Sequence, residues 1–554
     1  MAYNATITKL TNGLIMKRLL LTCLLLPWLT ACSVLPWSSE DADEGVTPEK
    51  PLTILVINDV YRLDNLPYVR HLRASLEQSE GEVLMLHAGD FLFPSLLSQR
   101  YDGEQMVDVL NYLDGDGAAF DEHMFITFGN HEFEKGKLKH APLLQSRITE
   151  SQFAWLGTNV EFKSIEPGRQ MVQADNLLPS KLITLNGVKV GVLSATTDVK
   201  GADYIRRFIP PMQAVRTTSR ALRQQGAQVV IALTHLTLKE DRALLEQLGD
   251  DAPDLIAGGH EHDRQSVQVN GRRIVKADAD AMSAAVVRLD AANPKQSSVT
   301  FVDLPGKYTP DAGVVARINQ WDARFAEGFC GEKGESNACL TQVLGKTAVD
   351  LIAEELTIRR FETNLGNWLA DTARTSFADQ GAQIAFLNAG GMRLNQNIPA
   401  GELNRRHLDT LFAYPTRLAM IRLSGAQLQA VANHAITDWT GNGRWLQVSG
   451  FAFKHNPATG TAEQLSLITP QGLRPIQADE TLLAVTNDYL LDASGDQDGY
   501  RMLGENLIVA PDQPRLELKD KVLEALQQAG SAGIAPRVEG RVCNASKPGV
   551  CLLK

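Results

Sequence analysis

Past residue 31 the 554-residue chain lacks any uninterrupted apolar run of about 20 residues, the length a helix needs to cross a bilayer. The mature chain therefore reads as one that does not span a membrane. It also lacks positive charge: 54 Lys and Arg stand against 65 Asp and Glu, a formal net charge of −11. That is a poor fit for holding a nucleic-acid polymer by bulk charge. Single nucleotides stay open, because a few local arginines suffice for them. Cysteine is scarce, with six in all. No disordered, collagenous or coiled-coil bias runs through the whole chain, which is 44% apolar and 21% charged with 43 Gly and 24 Pro. At roughly 100–200 residues per domain, the length suggests two to four domains.

The start of the chain reads as an address. Met16-Lys17-Arg18 is a short positive region, and Leu19 to Leu29 is apolar, too short to span but right for a secretory signal core. Residues 1–15 lack signal character, so Met16 reads as the start. Leu29-Thr30-Ala31-Cys32 resembles a bacterial lipobox, which implies cleavage before Cys32 and lipid on that cysteine. Ser33, rather than Asp, implies sorting to the outer membrane, and residues 33–50 read as a polar tether. Cys23 leaves with the signal. Cys330, Cys339, Cys543 and Cys551 remain, with three possible connectivities. Short loops and an oxidising periplasm favour Cys330–Cys339 and Cys543–Cys551. A zinc site built from all four is the alternative, although no close CxxC pair exists.

Several apolar, β-branched runs of strand length end in polar residues of one kind. Leu52 to Ile57 leads into Asn58-Asp59, and Val83 to Leu86 leads through His87-Ala88 into Gly89-Asp90. Phe125 to Phe128 leads into Gly129-Asn130-His131-Glu132. Val229 to Leu233 leads through Thr234 into His235, and Leu255 to Ala257 leads into Gly258-Gly259-His260-Glu261-His262. Continuous apolar runs suit strands covered on both faces. Amphipathic stretches 66–78 and 104–113 read as helices between them. In layered α/β folds, ligands gather at the carboxyl ends of strands. Mixed oxygen and imidazole donors suit Zn, Mn, Fe or Co better than Ca or Mg. The glycines at 89, 129, 258 and 259 let backbone turn sharply there.

This ordered set resembles the calcineurin-like metallophosphatases, and more narrowly the 5′-nucleotidase family, whose third motif reads as residues 129–133 do here. The resemblance implies an α/β fold: a layered β-sandwich metallophosphatase domain flanked by helices, then a C-terminal α/β substrate-binding domain. It implies two divalent metal ions, with Asp90 bridging both. Asp59 and His262 would complete one site, and Asn130, His235 and His260 the other. His131 would sit beside the phosphorus, oriented by Glu134. Two positions depart from the family pattern. The first motif normally reads Asp-x-His but here is Asp59-Val60-Tyr61, so one imidazole ligand is missing. Glu134 replaces Asp and adds a methylene.

Three stretches of the second half, 359–367, 387–393 and 487–500, resemble the 5′-nucleotidase C-terminal domain. Carried over, Phe412 and Tyr489 would stack the base, Arg359 and Arg393 would hold phosphate, Asn388 would contact the base, and Asp498 would accept from the ribose hydroxyls. Tyr414 is a rival for Phe412, and Asp496 for Asp498. His407, His434 and His455 read as scattered surface or core residues. The expected organisation is signal and lipobox 1–32, tether 33–50, metallophosphatase domain 51–308, linker helix and hinge 309–345, substrate-binding domain 346–545 and tail 546–554. The expected activity is hydrolysis of nucleoside 5′-monophosphates to nucleoside and phosphate, in the cell envelope, with lipid as the one membrane contact. A nucleotide-sugar or cyclic-nucleotide phosphodiesterase on the same metals, and a non-catalytic nucleotide-binding lipoprotein, are the alternatives.

Overall fold

The computed structural model describes residues 51–198, 201–437, 443–493, 497–545 and 549–553. The leader, Cys32, the tether and Asp496 lie outside the described residues. Side chains alternate along the first strand, Leu52–Ile57, as the pleat requires. Leu55 and Ile57 join one apolar core, while Leu52, Ile54 and Val56 join another. Apart from Thr53, whose hydroxyl donates to Glu80 at 2.7 Å, the strand is apolar because both faces are covered.

It lies in a seven-stranded sheet. Val83–His87 pairs parallel beside it, Asp121–Thr127 parallel to that, and Phe153–Leu156 parallel in turn. Ser283–Leu289 closes the other side antiparallel. A second sheet of six strands runs through Val188–Thr196, Val229–His235, Leu255–Gly258 and Arg272–Lys276, mutually parallel. Ile54, Val56, Leu84 and Leu86 of the first sheet meet Val190, Ile231, Leu233 and Ala257 of the second in a single core. Helices cover the outer faces: Leu66–Glu80 and Glu104–Leu110 on the first sheet, Pro211–Gln224 and Leu238–Gln247 on the second. The expected strands and helices are present; Asp59, Asp90, Asn130, His260 and His262 follow strand ends, and His235 is the last residue of its strand.

The helix Ala312–Gly331 opens on Asp311, whose carboxylate accepts the Val314 N–H at 3.0 Å. It packs on the first half through Trp321, whose Nε1 donates to Asp108 at 2.6 Å. It continues past the apolar pattern into the cysteine loop, so Cys330 is itself helical. Beyond it a five-stranded sheet through Ile384–Asn388, Arg417–Ser424, Leu446–Ser449 and Thr481–Asn487 carries the helix Asn364–Thr375. A four-stranded sheet ends on the short strand Val542–Asn544. The buried Glu362 carboxylate accepts the backbone N–H groups of Glu539 (2.7 Å), Gly540 (3.1 Å) and Val542 (3.1 Å). Cys330 is paired with Cys339 and Cys543 with Cys551, as expected. Among the described residues no helix is long and apolar enough to cross a membrane.

Candidate metal centre and the surface facing it

Three of the expected ligands sit on left-handed backbone that non-glycine residues rarely adopt: Asp59 (φ 52°), Asp90 (φ 60°) and His260 (φ 81°). Such strain persists where the surroundings over-determine it, and here they do. The Asp59 N–H donates to Gly89 O at 3.0 Å, and its carbonyl accepts from Asp280 N at 2.8 Å. The Asn58 side-chain amide makes two hydrogen bonds with the Ala277 backbone. A Cβ on Gly129 would lie 2.2 Å from Asp90 Oδ1, and one on Gly89 would lie 2.5 Å from Gly129 N, so the two loops touch backbone to backbone. Beneath the 258–262 loop the buried Lys276 ammonium donates to Leu236 O (2.7 Å) and Gly259 O (2.8 Å) and pairs with Asp241 and Glu261.

The side chains converge. His235 Nε2 lies 3.2 Å from Asp90 Oδ2 and 3.9 Å from Asp59 Oδ1. His262 Nε2 lies 3.3 Å from Asp59 Oδ1. His260 faces the Asn130 amide, Nδ1 to Oδ1 3.2 Å. All are buried or nearly so. Burial raises the Asp59 carboxyl, but the imidazoles of His262 and His235 outweigh it and the net shift is down. Asp90 is likewise held well below the carboxylate range, with His235 and His131 overcoming burial. Burial pushes the imidazoles down, yet Asp90 and Asp59 bring His235 up to about 10, and Glu355 and Asp59 bring His262 up to about 9. His260, which burial and His235 depress to about 4, is neutral.

The chemistry of this donor set fits a cation. Asp59, Asp90 and His235 each present a ligand atom within 4.8 Å of the others. His235 Nε2 is buried with no well-aligned hydrogen-bond partner, while its Nδ1 donates to Ala88 O at 2.7 Å, the contact that turns a ligating imidazole toward a metal. Buried opposite charges of this density are satisfied by protons or by metal.

Tyr61 stands where the family pattern has an imidazole. Its hydroxyl is 3.1 Å from Asp90 Oδ2, 3.3 Å from His262 Nε2 and 3.5 Å from Asp59 Oδ1. Burial and both carboxylates push the phenol well above its usual range, so it is a neutral hydroxyl in this arrangement. The longer Glu134 still reaches His131, Oε2 to Nδ1 2.8 Å, and His131 Nε2 faces Asp90 at 4.0 Å.

The second half closes over this cluster. Arg359 Nη1 is 3.4 Å from His262 Nδ1, and the Arg393 guanidinium lies 5.6 Å from the Tyr61 ring centroid and 5.4 Å from that of Tyr414. The Tyr414 hydroxyl is 3.5 Å from His131 Nδ1. Asn388, Tyr489 and Asp498 form a separate constellation. Asn388 Nδ2 donates to Asp498 Oδ2 (2.7 Å), the Tyr489 hydroxyl to Asp498 Oδ1 (3.1 Å), and Asn487 to Asn388 (2.9 Å). Tyr489 is 39% exposed, so its ring can meet a ligand. Phe412 departs from expectation. It is buried among Leu408, Leu411 and Met392, and a ring committed to the core has no face to offer a base. Three residues at the centre escaped the sequence reading: Glu132, Glu355 and Asp280. The Gly-Asn-His-Glu motif contained a signal for the first; the other two carry none.

A calcineurin-like phosphoesterase model matches residues 52–264, and a 5′-nucleotidase C-terminal domain model matches residues 343–505. The metallophosphatase sandwich and its cluster place the chain among the calcineurin-like phosphoesterases, hydrolases of phosphoester bonds that use divalent metals. With its second domain it belongs, more narrowly, to the 5′-nucleotidase family. It is 24% identical to the trifunctional nucleotide phosphoesterase YfkN of Bacillus subtilis, covering 90% of this chain but 36% of that protein. It is 24% identical to Protein 5NUC of Lutzomyia longipalpis, over 84% of each. The crystal structure of a 5′-nucleotidase precursor from Thermus thermophilus superposes with a TM-score of 0.68 at 20% identity, covering 90% of this chain and all of that one, which shows the shared fold.

Proposed function

We propose that the protein releases phosphate from nucleoside 5′-monophosphates in the cell envelope, held there by lipid on Cys32. The observation that carries the reading is the placement of Arg359 and Arg393, from the second half, against His262 and Tyr61, which border the buried Asp59–Asp90–His235 cluster of the first. Asp59, Asp90 and His262 would hold one divalent ion, and Asp90, Asn130, His235 and His260 a second. Bound there, the ions supply positive charge against phosphoryl oxygens and acidify water. Arg359 and Arg393 present paired donors to the phosphate. Glu134 fixes the His131 ring through Nδ1, so that Nε2 faces the reacting group and gives a proton to the departing ribose oxygen. Asn388, Asp498 and the Tyr489 ring take the nucleoside, with Asp498 accepting from ribose hydroxyls. The segment 309–345 is the hinge about which the second domain delivers substrate.

Nucleotides cross membranes poorly and nucleosides better, so dephosphorylation outside the cytoplasm permits salvage. The test is a phosphate-release screen of the mature chain after Cys32, across nucleotides and divalent ions. Release from 5′-monophosphates that stops with chelator supports the reading; nucleotide binding with no phosphate release in any metal supports a non-catalytic lipoprotein instead. Transfer of the protein to the soluble fraction on Cys32→Ala tests the anchor.

A further inference from the structure

Every ligating imidazole needs its second ring nitrogen held by an acceptor, because that contact sets the tautomer and aims the lone pair. His235 finds its acceptor within its own half, at Ala88 O. His262 does not. Its Nδ1 lies 2.8 Å from the Glu355 carboxylate, which belongs to the second half of the chain. Glu355 is buried at the start of the short helix Glu355–Ile358. Its backbone N–H donates to Asn395 Oδ1 at 3.0 Å, and the Asn395 amide donates to Asp280 Oδ2 at 2.8 Å. The Asp280 N–H donates to Asp59 O, and its other carboxylate oxygen accepts from Tyr61 N at 2.8 Å. A closed ring therefore runs from Glu355 through Asn395 and Asp280 to Asp59, whose carboxylate faces His262, and back to Glu355. Arg62 reinforces the same seam by donating to Leu394 O (2.7 Å) and Gln396 (2.8 Å).

We propose that Glu355 is a positioning residue for the metal centre, supplied across the domain boundary: it fixes His262 with Nδ1 protonated and Nε2 bare. The metal position built from Asp59, Asp90 and His262 is then complete only while the second domain is docked on the first. The inference rests on the metal-centre reading above. It adds that one domain tunes the metal affinity of the other, which couples substrate delivery to readiness of the centre.

The Arg359 guanidinium, at the end of the same helix, is also paired with Glu355, so loss of the carboxylate has two effects that must be separated. Glu355→Gln and Glu355→Ala both remove the counter-charge of Arg359, but only the alanine removes the acceptor from His262. The experiment measures Mn²⁺ and Zn²⁺ binding to the mature chain by competition with a chromophoric chelator, with circular dichroism confirming the fold. The expected result is that Glu355→Ala weakens one binding event about 10–100-fold, as loss of a ligand-orienting contact does, and that Glu355→Gln restores most of it. Equal weakening in both variants, or none in either, overturns the proposal. Absence of metal binding by the wild-type chain overturns the metal-centre reading itself, so the two failures are distinct.

Discussion

Glu132 holds Asp90 by its backbone. One carboxylate oxygen accepts the Asp90 N–H at 2.8 Å and the Gly129 N–H at 2.6 Å, and the other accepts Phe91 N at 2.8 Å and Leu92 N at 3.1 Å. One buried side chain thus staples two ligand loops together. Burial and the Asp90 charge push its carboxyl up to about 7, while the N–H donors pull the other way. Glu132→Ala would leave these N–H groups buried and unsatisfied, each costing about 1–3 kcal/mol. The expected loss of stability is at least about 3 kcal/mol in guanidinium unfolding; a loss under about 1 kcal/mol would mean water replaces the staple.

Asp90 is the ligand the two ions of the proposed centre would share, and its Oδ2 lies 3.2 Å from His235 Nε2 and 3.1 Å from the Tyr61 hydroxyl. Asp90→Ala should bring bound metal close to zero and lower phosphate release by more than about 100-fold, a larger effect than loss of an orienting contact. Elemental analysis of the purified variant, set beside its nucleotide affinity, checks this. Retained metal at wild-type level would remove Asp90 from the ligand set.

The Tyr61 hydroxyl is in the place of a stronger donor. Tyr61→His should raise affinity for one divalent ion, by about tenfold if an imidazole joins the set. Titration under a metal buffer reads this directly. Unchanged affinity would mean that the tyrosine oxygen already serves.

His87 is fully buried with both ring nitrogens unpartnered, and burial lowers its pKa from 6.5 to about 4. Its folded form is neutral, and protonation favours the unfolded chain. The contribution of His87 to stability is therefore intact above pH 6.5 and is lost as pH falls toward 4, by about 3 kcal/mol at pH 4. His87→Leu should flatten that part of the pH dependence. Unfolding curves of both proteins, metal-free, at pH 7, 5 and 4 provide the comparison; parallel losses would contradict the shift.

The sandwich and its cluster were legible because strands covered on both faces are continuous apolar runs, and the residue just after such a run lies at a sheet edge. Asp59, Asp90, His235 and His262 could be placed together on that ground although they span two sheets. Glu355 and Tyr414 could not be placed at the centre: they reach it only because one domain docks on the other, and no local pattern records docking. Phe412 shows the opposite limit. An aromatic near a motif reads as a candidate clamp until packing shows it among Leu408 and Leu411. Glu132 was visible as a letter of a motif but not as a staple, since three of its four backbone partners lie some forty residues earlier, Asp90 to Leu92.

The last strand has a practical meaning for anyone shortening this chain. Glu539, Gly540 and Val542, close to the expected tail at 546–554, donate backbone N–H groups to the Glu362 carboxylate, one residue before the cap of the helix Asn364–Thr375. A truncated expression version would strip three backbone donors from that buried carboxylate while keeping the Asn367 amide at 2.6 Å, and its failure would look like a folding defect in the substrate domain rather than the loss of an unimportant end.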